Sequence, residues 1–157
     1  MIELRKMNAQ EFSDYKQYAV NNYAAEKQKG EGHSPEEALK ISQEAYAKQL
    51  PQGLETPDQF LFSVVEKATG ESVGILWIAK KLNGEKPYAF IYDIELKPDH
   101  RGKGLGKMLM NLMENEVRRL GCSSVGLHVF GHNTAAIALY EKSGFYTTNR
   151  MMKKDLK

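Results

Sequence analysis

The chain has 157 residues, 41% of them hydrophobic, and one cysteine, Cys122. That suits a single domain with its own core and excludes both a multi-domain assembly and an internal disulfide scaffold. A net charge of +2, from 22 basic and 20 acidic side chains, is too small an excess for a dedicated nucleic-acid binder.

No apolar run approaches the ~20 residues that span a bilayer. The opening MIELRKMNAQ lacks a secretory-signal pattern. A cytoplasmic protein with neither a membrane nor a nucleic-acid partner is therefore expected. The charge is unevenly divided. Residues 1–59 hold 7 basic and 10 acidic side chains, and residues 60–157 hold 15 and 10.

In chain order, Ile2-Glu3-Leu4-Arg5 alternates apolar and polar residues and predicts a short strand. From about 8 to 29, Phe12, Tyr15, Tyr18 or Ala19, and Asn22 or Tyr23 recur at three-to-four spacing. This predicts an amphipathic helix stopped by Gly30 and Gly32. Ser34-Pro35-Glu36-Glu37 predicts a second helix with Ser34 as N-cap, Pro35 at the first position and Glu37 closing a capping box. It should end near Leu50, ahead of Pro51 and Gly53. After Pro57 the period changes to two. Residues 60–67, 72–82 and 87–96 read as three strands joined by turns, the second carrying the hairpin signal Asn83-Gly84. Such a meander is antiparallel.

Helical spacing returns at Gly104, where Leu105, Met108, Leu109, Leu112, Met113, Val117 and Leu120 form one stripe. Glu114 and Arg118 are placed as an i,i+4 pair, and Gly121 as the residue after the helix. A strand over 123–130, a short helix from N-cap Asn133 to Gly144, and a last strand or hairpin from Phe145 to about Asp155 complete the order. The fold class is α+β, a mixed α/β domain over residues 1–157 whose central sheet is mostly antiparallel and flanked by helices. The strand–helix–strand unit at 88–130 supplies one parallel pair.

The segment Arg101-Gly-Lys-Gly-Leu-Gly106 lies between a strand and a helix, where backbone N–H groups can approach an anion. It is not a P-loop, because Arg101 and Met108 stand where Gly and Ser/Thr are required. It is not a dinucleotide fingerprint either, because Lys107 or Leu109 stands at the third glycine.

Two motifs in order identify a resemblance. Arg101-x-x-Gly104-x-Gly106, preceded by Leu96-Lys97-Pro98, is similar to the pyrophosphate loop of the GCN5-related N-acetyltransferase (GNAT) family. Asn133-x-x-Ala136-x-x-Leu139-Tyr140-x-x-x-Gly144-Phe145 is similar to that family's second motif. The resemblance implies acetyl transfer from acetyl-CoA to a primary amine, on a small molecule or a protein, in a ternary complex. The contrasting expectation on the same fold is a non-catalytic acyl-CoA-binding module. The resemblance further implies that residues 1–59 face the acceptor, that residues 60–157 carry the acetyl-CoA core, and that the chain is a monomer or homodimer.

The resemblance assigns cofactor contacts to the strand residues Ile94, Glu95 and Leu96, with a backbone N–H near Leu96 as the oxyanion donor. It assigns others to the loop residues Arg101, Gly102, Lys103, Gly104, Leu105, Gly106 and Lys107, and to Asn133 and Tyr140. Lys97, Arg101, Lys103 and Lys107 against a lone Asp99 suit a polyanionic ligand. Asn133 and Tyr140, seven residues apart, share a helix face. Tyr140 is, by resemblance, the general acid for the leaving thiolate. Candidate bases are His128, Glu95 and Asp93, in that order, directly or through water. His128 has an ordinary pKa suited to the task, and Asp93 and Glu95 share one strand face.

No metal is expected. His128 and His132 have helical spacing but straddle a strand and loop. Cys122 follows a helix C-terminus, the wrong end for a stabilised thiolate, and reads as core. Trp77 also reads as core, and Tyr15, Tyr18, Tyr23 and Tyr46 either pack or line the acceptor pocket.

Overall fold

The period-two stretches become three long strands, β2 (Gln59–Glu66), β3 (Ser72–Asn83) and β4 (Lys86–Leu96). The computed structural model, which describes all of residues 1–157, adds β1 (Ile2–Lys6) and β5 (Val125–Leu127) at the two edges. The sheet order is β1-β2-β3-β4-β5. The first three pairings are antiparallel, and β4 pairs with β5 in parallel. Four helices flank this sheet: α1 (Ala9–Glu31), α2 (Pro35–Gln49), α3 (Leu105–Arg119) and α4 (Thr134–Lys142).

Alternation sends the two sides of β3 to different cores. Leu76 and Ile78 join Ala89 and Ile91 of β4 against Met110, Met113 and Val117 of α3. Trp77 turns to the other face and packs with Leu61, Tyr15, Ala19 and Leu50 under α1 and α2. Each fully buried Leu or Ile contributes about 1.5–3 kcal/mol, so the central strand anchors both layers. Fully buried Ser42 donates its hydroxyl to the Val20 carbonyl at 2.6 Å, tying α2 to α1.

Several expectations change. The full capping box belongs to α1, where the Asn8 side chain accepts from the Glu11 N–H and the Glu11 side chain accepts from the Asn8 N–H. At α2 only the Ser34 half forms, while the Glu37 carboxylate faces His33 at 3.7 Å. Helix α1 runs through Gly30 and ends at Gly32, whose φ of +70° suits glycine. Arg118 donates to Asn115, and Arg119 pairs with Glu116, so the Glu114–Arg118 pair is not made.

The last strand is absent: residues 145–157 form no regular secondary structure. Tyr146, Met151, Met152 and Leu156 are all more than 80% exposed, so no buried apolar face fixes a register there. The strand expected over 123–130 shrinks to three residues because its partner β4 diverges after Ile91.

Candidate active site

The divergence has a local cause. In the β3–β4 ladder Trp77 faces Asp93 and Ile78 faces Ile91, leaving Tyr92 as an extra residue on β4. A bulge of this kind bends its strand and re-aims side chains. Ile91 and Ile94 face the α3 layer. Tyr92 packs with the α1–α2 cluster, and Asp93 meets Tyr15 of α1. Beyond the bulge β4 has no β5 partner, because parallel pairing stops at Ile91–Leu127. A notch therefore opens between the strands beside Ile94, Glu95 and Leu96. The Lys97 N–H donates to Val73 across β3, so alternation turns the Leu96 backbone toward the notch. There the Leu96 carbonyl accepts from Arg101 Nε at 2.9 Å.

Gly74 helps hold this geometry. A side chain at Gly74 would place its Cβ 2.4 Å from the Glu95 carbonyl oxygen. Only glycine lets β3 approach β4 this closely beside the site.

At one end of the notch lies the loop 101–104. Gly104, the N-cap of α3, has φ +79° and no side chain to cap the first-turn N–H groups. Those donors have no intrahelical partner, and the dipole of α3 adds to their pull on an anion. Lys97, Lys103 and Lys107 are exposed around them. The loop's other cation is engaged differently. The Arg101 guanidinium donates to both the Leu96 carbonyl and Glu95 Oε1, the latter at 3.2 Å. Its side chain thus braces the loop on β4.

The carboxylates meet α1 in matching steps. Tyr15 and Tyr18 lie nearly one helical turn apart, and Asp93 and Glu95 lie two residues apart on β4. The Tyr15 hydroxyl donates to Asp93 Oδ2 at 2.6 Å, and the Tyr18 hydroxyl donates to Glu95 Oε1 at 3.3 Å. Burial pushes the Asp93 carboxyl up to about 6; the Glu95 and Glu26 charges add to that rise, against the Tyr15 hydroxyl and Ile94 N–H. Burial and then the Asp93 charge raise the Tyr15, Tyr46 and Tyr140 phenols. Glu95 does the same for Tyr18.

An aromatic wall lines this side. Tyr46 lies beside Trp77, Trp77 stacks on Tyr92 at 4.7 Å, and Tyr23 meets Tyr46 edge-on. Trp77 is buried and donates to Gln59 at 2.7 Å. The Tyr92 hydroxyl donates to Gln49 at 3.0 Å.

From the other layer, half-buried Tyr140 packs against the α3 core and meets Phe145 at 5.6 Å. Asn133 is the N-cap of α4, its side-chain oxygen accepting from the Ala136 N–H at 3.3 Å. His128 is exposed just beyond β5, edge-on to Phe130, which also stacks on His132. Cys122 is buried in the α3 core. The structure thus brings Asp93, Glu95, Leu96 and Arg101 together on the unpaired end of β4, sets Tyr140 near enough to feel the Asp93 charge, and leaves His128 on the surface. Sequence reasoning missed the particular parts of Tyr15, Gly74 and Tyr92. Tyr15 lies 78 positions from its partner Asp93, and a bulge shows only once strands are paired.

The comparisons agree with this architecture. The profile of the Acetyltransferase (GNAT) family matches residues 17–145. The uncharacterised N-acetyltransferase YycN of Bacillus subtilis is 38% identical over 155 residues, covering 99% of each chain. Its crystal structure superposes with a TM-score of 0.91, covering 100% of this chain and 99% of that one. A second B. subtilis protein, the uncharacterised N-acetyltransferase YdgE, is 33% identical over 98% of this chain and 97% of its own. The α3 loop, the bulged strand and the tyrosine on α4 thus belong to a chain of the acetyltransferase (GNAT) family.

Proposed function

We propose that this chain transfers the acetyl group of acetyl-CoA to a primary amine, on a small molecule or on a protein or peptide, by direct attack in a ternary complex. The observation that carries this reading is the notch. It has unpaired first-turn amides and three exposed lysines at one end, and it lies between a raised carboxyl on one side of the sheet and a tyrosine on the other.

Gly106 supports a phosphate at the loop. It has no positive φ, and a side chain there would meet nothing within 4 Å. Glycine within a helix costs up to about 1 kcal/mol relative to alanine. No neighbour within the chain requires it, so the fit is to a ligand backed onto the helix. The amides of residues 102–107 would hold the pyrophosphate, and Lys103 and Lys107 would offset its charge.

Acetyl-CoA, when bound, supplies an activated thioester. The protein's residues do the rest. The Leu96 N–H would donate to the acetyl oxygen as negative charge grows on it. Asp93, directly or through water, would take the proton that the ammonium must lose before its lone pair attacks the carbonyl carbon. As the carbon–sulfur bond breaks, Tyr140 would give its proton to the departing thiolate. We favour Asp93 over His128 as the base because it is half-buried against α1 beside the notch with its carboxyl near 6, whereas His128 lies exposed beyond β5. Glu95 is already held by Arg101 and Tyr18.

The test is thiol release across a panel of small amines and peptides. Free CoA that appears only when an amine is present, with an acetylated product of matching mass, is the expected result. Tight acetyl-CoA binding with no turnover on any acceptor would assign the fold to a non-catalytic binding module.

A further inference from the structure

Tyr15 has no counterpart in either sequence motif, yet it makes the shortest side-chain contact at the site. Its ring is buried with Leu61, Trp77, Ala19 and Leu50, which leaves the hydroxyl little freedom. From that fixed ring the hydroxyl donates to Asp93 Oδ2 at 2.6 Å. Hydrogen bonds from neutral hydroxyls to carboxylates are short and strong, and they favour the charged acceptor. The bulge at Tyr92 gives the contact its direction, since it turns Asp93 toward α1.

We infer that Tyr15 is a positioning residue for acetyl transfer: its hydroxyl holds Asp93 ionised and in a single orientation beside the notch. This rests on the reading of Asp93 as the base. Without the hydroxyl, burial, Glu95 on the same strand and Glu26 of α1 would raise Asp93 against the Ile94 N–H alone. The other titratable groups near it are the Tyr46 phenol of α2, the Tyr140 phenol of α4 and the Tyr18 phenol of α1, each raised in part by the Asp93 charge. None of the three donates a hydrogen bond to Asp93, and the Tyr18 hydroxyl is engaged by Glu95. The inference therefore concerns the proton equilibrium of Asp93, which packing alone would not move.

The experiment is the pH dependence of kcat/KM for the full chain with acetyl-CoA and an amine that it turns over. The unmodified protein should show an acid limb near 6, the value to which Asp93 is raised. Tyr15→Phe keeps the ring and removes only the hydroxyl. It should move the limb up by about one pH unit, an approximately tenfold loss below the limb and little loss well above it. A uniform loss at all pH values, or an unmoved limb, overturns the inference. In a double-mutant cycle, Tyr15→Phe should cost nothing further in an Asp93→Asn background; independent losses that multiply would also overturn it.

A measurement on the unmodified chain guards against a variant that does not fold. With tyrosine labelled at ¹³Cζ, the Tyr15 resonance should titrate with the Asp93 midpoint, and a flat resonance counts against the contact. A wild-type profile with no acid limb, together with full activity in Asp93→Asn, removes the base reading itself. A limb that Asp93→Asn abolishes but Tyr15→Phe leaves in place removes only the inference about Tyr15.

Discussion

Asp93 faces two opposed demands. Burial favours its neutral form, while the proposed chemistry needs the carboxylate. The sign of its effect on stability follows. Its folded-state pKa, about 6, lies above the ordinary carboxylate value, so the native state binds the proton more tightly than the unfolded chain. The stabilisation from that proton is complete below about pH 4 and is lost as pH rises through about 6. Asp93→Asn removes the penalty of a charge half-buried against α1. The variant should melt higher than wild type near pH 8, by roughly 1–2 kcal/mol of stability, and lose that advantage near pH 4. Calorimetric melts across this range check it; a gain independent of pH would contradict the burial account. The same variant should be catalytically impaired, so stability and activity would change in opposite directions at one side chain. Tyr140 carries a simpler expectation. Tyr140→Phe should lower kcat by about 10²-fold with acetyl-CoA affinity nearly unchanged, because only the proton donor is lost. Steady-state kinetics with parallel binding measurements decides it, and an unchanged kcat would remove the role.

Among the elements, α3 and its loop give the cleanest separation of folding from binding. Gly106→Ala should leave α3 intact or slightly steadier, since alanine is the better helix former. It should nevertheless weaken acetyl-CoA binding if a phosphate closes on that backbone. Calorimetric titration beside a thermal melt reads both, and unaltered affinity would count against the loop. Elements with a local signature were legible in the sequence: the β2–β3–β4 meander from its alternation, and α3 from its apolar stripe. The glycine-rich turn before α3 and the helix that carries Tyr140 were legible as well, because each sits inside a contiguous motif. Properties that depend on pairing were not. Tyr92 looks like any strand residue until β3 shows two residues of β4 opposite one of its own. Nor does strand spacing report burial, which separates exposed His128 from half-buried Asp93. The supposed strand after Phe145 shows the reverse failure. Tyr146, Met151, Met152 and Leu156 look like strand residues, but no layer covers them.

For the whole molecule, the uneven charge acquires a spatial meaning. The acidic half, residues 1–59, supplies α1 and α2 over Asp93 and Glu95, and the basic half supplies the loop. An amine that arrives as a cation should be drawn to the first and a polyanionic cosubstrate to the second. Both attractions fade with ionic strength. The kcat/KM for a cationic acceptor should therefore fall between about 0.01 and 1 M salt, where the screening length shrinks tenfold. Stopped-time assays over that range check it, and a salt-independent rate would leave the charge division without a role in encounter.

The short β4–β5 pairing has a mechanical consequence. Only Ala89, Phe90 and Ile91 pair with β5, so the unit formed by β5 and α4 is joined to the sheet by a seam three residues long. Elsewhere neighbouring strands are sewn over five or more positions. A ligand lying in the open part of the seam would act as the missing stitches, bridging Leu96 and the α3 loop on one side to α4 on the other. In the free protein, amides of residues 125–140 should therefore exchange with solvent well before those of Trp77–Ala79. Saturation with CoA should slow them selectively. Hydrogen-exchange mass spectrometry would show whether the place proposed to admit the cosubstrate is also the place where the free protein first comes apart.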